Sequence, residues 1–190
     1  MAPSGRPTPG EYGTHAEEDI ARVSGDDTVE ALRRQSHEVE KLLRDLNEAA
    51  IAGLRYAPGK WTLKEVLGHL IDDERIFAYR ALCIARGDAH PLESFDEKLY
   101  VAGANFEERA LNDLLREYSL VRAATIALFE SLTPDAWLRR GTMAGYTASV
   151  RGLAFHIAGH ELHHVRVLKE RYLVRSPAES LPARDTDGTP

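Results

Sequence analysis

Cysteine is nearly missing from this sequence. Cys83 is the only one in 190 residues, which excludes an internal disulfide and any zinc site built from several thiolates. Long hydrophobic runs are missing too. No stretch approaches the ~18 uninterrupted apolar residues of a membrane-spanning helix. The opening MAPSGRPTPGEYG has no apolar run behind its charge and does not read as a secretory signal. Nor is there a surplus of positive charge. Lys and Arg number 24 against 30 Asp and Glu, a net charge of −6, so nothing is set aside to neutralise phosphates and nucleic-acid binding is not expected as the main task. These absences suit a reduced, cytoplasmic protein with neither a membrane nor a nucleic acid as partner. Hydrophobic residues at 43% and charged residues at 28% exclude a disordered or collagen-like chain. A chain of this length buries roughly 70% of its unfolded surface, enough for a core without covalent staples.

What is present is helical patterning. Residues 1–15 and 175–190 are rich in proline, glycine and small polar side chains and read as disordered tails around one folded unit, 16–174. Thr28 to Ala52 places Val29, Leu32, Val39, Leu42, Leu43 and Leu46 mostly three or four apart, which predicts a helix. Pro58 and Gly59 end it. Thr62-Leu-Lys-Glu65 is a capping box that starts a second helix, running to about Ala85. Residues 87–104 read as a loop. Asn105 is placed to cap a third helix through Leu132, and Thr133-Pro134 to start a short turn through Trp137. Gly141 to Gly145 reads as a second loop, and Thr147 or Ser149 opens a last helix ending near Tyr172. No segment alternates as a strand does. Four long helices predict an all-α four-helix bundle.

The chemistry is concentrated in histidine. Four of the eight lie between His156 and His164. His156, His160 and His164 are each four apart and share one helical face, where an i, i+4 pair of imidazoles can hold one metal ion. His163 is turned elsewhere. His69 stands on the second helix in an apolar stretch. Gly68 and Gly159, just before His69 and His160, would let two helices come close. A single histidine on an apolar face is usually a core residue bonded to a carbonyl. Three stacked on one face would leave several buried nitrogens without partners, and a shared metal satisfies them together. Three templates compete. His160-Glu161-Leu-His-His164 matches the zincin pattern, with Glu161 as general base, but Val167 and Glu170 stand where its extended form needs Gly and His. A di-iron bundle needs two Glu-x-x-His motifs, and Glu161-x-x-His164 is one without a second. The third template is three histidines with open positions, the arrangement of catalytic zinc.

The stretch Gly59-Lys-Trp61-Thr-Leu-Lys-Glu-Val-Leu-Gly-His69, followed about 90 residues later by His156-Ile-Ala-Gly-His160-Glu-Leu-His-His164, resembles the DinB superfamily, which includes YfiT-like metal proteins and thiol-dependent S-transferases. The resemblance spans roughly residues 20 to 174. It implies a four-helix bundle with up-down-down-up connectivity. It implies a divalent metal held by one histidine of the second helix and two of the fourth, which fall here on His69, His160 and His164. His156, one turn earlier, is the rival ligand. Many members continue the late motif as His-Arg-Gly-Gln, whereas His164 is followed by Val165-Arg-Val, so no substrate is carried over.

Three neutral imidazoles leave a metal its full charge, which lowers the pKa of a bound water or thiol. Carboxylates are expected to orient the imidazoles. Asp73 is the first choice, with Glu161, Asp72 and Glu65 also near in sequence. Zn or Ni stand first as the metal, with Fe or Mn as alternatives. The expected activity is a metal-dependent hydrolase or a transferase using a low-molecular-weight thiol on a small-molecule substrate, with a homodimer as the assembly to look for. The alternative is a non-catalytic helical binding or dimerisation module with a structural or adventitious metal. Arg122, Arg151 and Arg166 could bind an anionic substrate if they face the site. Trp61 and Trp137 read as packing residues, and Cys83, about 21 Å along its helix from His69, as a small buried hydrophobe.

Overall fold

The computed structural model describes residues 5–174. Its helices are α1 (Glu17–Arg22), α2 (Thr28–Leu43), α3 (Glu48–Ile51), α4 (Leu63–Ala85), α5 (Glu97–Gly103), α6 (Leu111–Glu130), α7 (Pro134–Leu138) and α8 (Val150–Val167). The four long ones, α2, α4, α6 and α8, pack side by side, with α4 and α2 each touching both α6 and α8.

Local chemistry explains the boundaries. The Thr62 hydroxyl accepts from Glu65 N at 3.2 Å, and the Glu65 carboxylate accepts from Thr62 N at 2.6 Å, so the predicted capping box starts α4. Ser149, rather than Thr147, caps α8 by accepting from Gly152 N. Thr133 caps the short α7 with Pro134 behind it.

The structure departs from the sequence expectation where small caps outcompete periodicity. The first helix stops at Leu43, and Asn47 then caps a separate turn by accepting from Ala49 N and Ala50 N. Asp96 does the same inside the expected loop 87–104 and creates α5. Asn105 is left-handed (φ 51°) and so cannot enter a helix. A 3-10 turn at Phe106–Glu108 follows, and α6 begins only at Leu111. The turn seats the Phe106 ring on Gly68, where a Cβ would lie 2.3 Å from it.

The expected loop 141–145 is a hairpin. β1 (Arg140–Met143) pairs antiparallel with β2 (Tyr146–Ser149). Its turn holds Ala144 at φ 47° and Gly145 at φ 82°, the positive pair that matches strand twist. The fold is therefore mostly helical rather than purely so.

The first tail also differs. Residues 5–15 lie on the bundle instead of hanging free. Glu11 is buried, its carboxylate pairs with Arg151 at 2.7 Å, and its carbonyl accepts from Ser149 N. The Arg6 guanidinium donates to the carbonyls of Ile20 and Val23. Glycine makes room: a Cβ on Gly152 would sit 2.0 Å from the Glu11 carbonyl oxygen, and one on Gly159 2.0 Å from that of Asp19. Gly68 and Gly159 thus receive Phe106 and the α1 backbone, not each other's helices. The expected tail 175–190 lies outside the described residues.

The core has two apolar halves. One gathers Leu32, Phe77, Ile84, Phe129, Trp137 and Phe155. The other gathers Leu43, Leu67, Ile71, Leu114, Tyr118 and Leu168. Between them each long helix contributes polar side chains: Gln35, Asp73 and Glu74, Arg122, and Glu161, all buried. Arg122 donates to Glu74 and Glu161 and to the Leu32 carbonyl, and Tyr118 donates to Glu161 at 2.7 Å. The charges on this belt are thereby paired and hydrogen-bonded, the condition for burying them.

Candidate metal centre

Beside that belt, α4 and α8 bring three histidines together. His69 Nε2 lies 3.3 Å from His160 Nε2, and His164 Nε2 lies 3.1 Å from the same atom. One ligand atom from each falls within 4.8 Å of the others. The four-residue step from His160 to His164 puts both on one face of α8, and His69 meets them from across the groove. Trp61, in the loop before α4, lays its indole against His69 with ring centroids 4.8 Å apart. It is a wall of the site as well as a packing residue.

Asp73, one turn after His69, accepts from His160 Nδ1 at 3.2 Å. That contact turns Nδ1 toward the carboxylate and Nε2 toward the other two imidazoles. Burial, and then the His160 charge, push His69 down to about 4. The same causes push His164 down to about 2. Burial alone would lower His160 as well, but the Asp73 carboxylate outweighs it and raises His160 above its ordinary value. Burial would raise Asp73, yet His160 holds it down at about 2. His69 and His164 are thus uncharged at neutral pH. Three imidazole nitrogens, one of them oriented by a carboxylate, fit a divalent transition metal.

The remaining candidates sit elsewhere. His156 packs against Phe77, ring centroids 4.1 Å apart, outside the three-histidine cluster, and its Nδ1 has no partner among the described residues. His163 flanks His164 from the side, ring centroids 5.1 Å apart. Glu161 faces the Arg122 belt and touches no histidine, which removes both its expected roles, imidazole partner and zincin base. One step along a helix turns a side chain by about 100°, and here that step takes it from cleft to core. Glu65 is spent on its cap, and Asp72 pairs with Arg75 on the surface side. Arg122 is locked in the belt, Arg151 holds Glu11, and Arg166 is exposed to solvent. None lines the site.

The cluster opens to solvent. A cleft of about 380 Å³ is lined by Trp61, His69, His160, His164 and Glu97. It adjoins a second of about 460 Å³, which runs past Tyr56 and Lys60. A third, of about 260 Å³, opens on the Asp73 and His160 side and holds Arg80 and Tyr146. Sequence reasoning missed Glu97, Arg80 and Tyr146, which stand in segments whose local pattern carries no sign of the site.

A sequence model of the DinB superfamily matches residues 31–168. The structure is similar to that of YfiT from Bacillus subtilis, described as a probable metal-dependent hydrolase with an unusual four-helix bundle topology. The TM-score is 0.69 at 16% identity, over 87% of this chain and 91% of that one. It is also similar to a mycothiol-dependent maleylpyruvate isomerase, with a TM-score of 0.63 at 13% identity, over 86% of this chain and 66% of the isomerase. The H52A mutant of that isomerase aligns equally well, at 12% identity. No curated protein sequence matches the chain.

Proposed function

The chain belongs to the DinB superfamily, and on that premise we propose that it is a metal-dependent enzyme acting on a small molecule. The observation that carries this reading is the convergence of His69, His160 and His164 on the floor of an open cleft. These three residues would hold a divalent cation, with Zn or Ni first and Fe or Mn as alternatives. When bound, the cation supplies a Lewis acid that can activate water, as in a hydrolase, or a low-molecular-weight thiol, as in an S-transferase. Asp73 holds the His160 ring with Nδ1 turned toward its carboxylate. Burial keeps His69 and His164 neutral and available as donors. Trp61 shields one side of His69. Glu97 is exposed and lines all three cavities.

A structural metal would be favoured by a fourth protein ligand. His156 stands outside the cluster, which supports the enzyme over the non-catalytic module. Elemental analysis of untagged protein tests the site. About one equivalent of metal in wild type, lost in both His69→Ala and His164→Ala, is expected. Screening loaded protein with ester and amide substrates, and with electrophiles plus a small thiol, then separates hydrolase from transferase. Wild-type turnover in a His160→Ala, His164→Ala double variant would sink the reading.

We infer also that the bundle follows the up-down-down-up path. Arg33 pairs with Glu130 and Glu40 with Ser119, which supports α2 antiparallel to α6. Arg75 meets Glu117 while Lys64 meets the Arg109 carbonyl, which supports α4 parallel to α6. His69 meets His160 while Phe77 meets His156, which supports α8 antiparallel to α4. A homodimer joins the proposal on the exposed Tyr79, Leu82 and Leu120, which border one groove between α4 and α6. A reducing, cytoplasmic setting joins it on the single cysteine. Among the described residues no helix is long and apolar enough to cross a membrane.

A further inference from the structure

Three cations are buried among the described residues: Lys64, Arg80 and Arg122. Lys64 pairs with Glu48, and Arg122 with Glu74 and Glu161. Arg80 is 4% exposed and has no carboxylate within 4.0 Å among the described residues. Its Nη2 donates to the Glu93 carbonyl at 2.5 Å, and its remaining donors have no protein acceptor there. The guanidinium lies over the Phe77 and Phe95 rings, 4.9 and 5.6 Å from their centroids. Its unpartnered nitrogens are not sealed off but face the cavities that Arg80 lines, so a guanidinium this far buried without a carboxylate is open to an anion from that side.

Arg80 borders the 260 Å³ cavity that also exposes His160 of the candidate metal centre. Tyr146 stands on the same wall, and its hydroxyl has no hydrogen-bond partner among the described residues. From this geometry we propose that Arg80 and Tyr146 form a carboxylate-binding subsite, so that the substrate is a small carboxylic acid whose body reaches toward His160. Arg80 supplies charge-assisted donors and Tyr146 a neutral one. Phe77 and Phe95 line the same cavity, giving the usual mixture of apolar lining and a few placed polar groups. The carboxylates on the cavity set the orientation. Asp73 is occupied by His160, Asp19 lies 3.4 Å from Arg22, and Glu97 stands at the exposed mouth, while Arg80 is the one arginine or lysine on this lining. The inference rests on the metal-enzyme reading for the direction in which the substrate points, and not for the anion site itself.

Calorimetry at pH 7 and fixed ionic strength, with benzoate and its neutral isostere benzamide, tests this on the full chain in both zinc-loaded and metal-free forms. Benzoate is expected to bind both forms at least tenfold more tightly than benzamide. Arg80→Met should weaken benzoate at least tenfold and leave benzamide unchanged. Arg80→Lys should fall between, because a point charge replaces a fork of donors. Tyr146→Phe should cost benzoate a few-fold. Equal binding of acid and amide, or binding of neither, overturns the proposal even if Arg80→Met does not fold. So does an Arg80 effect without a Tyr146 effect, since it places the anion in the outer groove that Arg80 also borders beside Tyr100. Zinc bound at one equivalent with no preference for the acid leaves the metal reading standing and this one fallen. Acid preference in a protein that takes up no zinc does the reverse.

Discussion

A single carboxylate decides how the His160 ring presents itself. Asp73 bonds Nδ1 at 3.2 Å and so directs Nε2 at the other two histidines. Asp73→Asn keeps the shape and removes the charge. Its expected effect is a metal affinity about 10- to 100-fold weaker, with the fold intact, read by competition with a chromogenic chelator. Arg122 shows the opposite dependence. It touches no part of the cleft but holds two buried carboxylates. Arg122→Met leaves Glu74 and Glu161 uncompensated and is expected to cost about 3–5 kcal/mol, measured by urea unfolding. Loss below about 1 kcal/mol would contradict that pairing. His160 and Glu161 are adjacent in sequence, yet one serves the cleft and the other the core. Spacing could propose both as site residues; only packing separates them.

At the scale of elements, the N-terminal segment is a strap across α8. It seats where α8 has no side chain, at Gly152 and Gly159. Gly159→Ala would thrust a methyl group into the Asp19 carbonyl, and the expected destabilisation of about 1–3 kcal/mol, typical of overpacking, should come with faster proteolysis between Glu11 and Val23. Glu11 makes the strap pH-sensitive. Burial would raise its carboxyl, but hydrogen bonds from Arg151 and Thr8 outweigh that and hold it at about 2, below its ordinary 4.5. A depressed carboxyl stabilises the fold above its unfolded pKa and loses that contribution as pH falls through the folded one. The difference in Tm between wild type and Glu11→Gln should therefore be full at pH 6 and vanish between about pH 4.5 and pH 2. A constant gap would rule out the ion pair as its source. The strap matters to the site as well, because it carries Asp19 and α1 to the edge of the cleft.

For the molecule as a whole, the candidate metal links α4 to α8 and so should act as a staple. Any ligand that binds only the native state adds RT ln(1 + [L]/Kd), about 2.7 kcal/mol at 100 Kd. Zn²⁺ is therefore expected to raise the Tm of wild type and EDTA to reverse it, with neither effect in His69→Ala. The exposed groove between α4 and α6 bears on assembly. Tyr79 and Leu120 are 60% and 62% exposed, and Leu120→Lys is expected to shift sedimentation from dimer to monomer. A wild-type monomer at high concentration would dispose of the homodimer.

Much of this was legible in the chain itself. The Thr62 and Ser149 caps, the helical periods and the four-residue histidine spacing are local, and short-range sterics and hydrogen bonding settle them wherever they occur. The DinB resemblance rests on the same local signals. Asn47, Asp96 and Asn105 were less legible, because a short polar side chain can cap a new turn or end an old one and sequence does not say which. Tertiary structure alone decided the rest. It laid residues 5–15 on α8, turned Glu161 inward and His160 outward, and left Arg80 buried without a carboxylate. Each of those outcomes depends on what lies opposite in space, across separations of tens of residues, and a one-dimensional pattern carries no record of its opposite number.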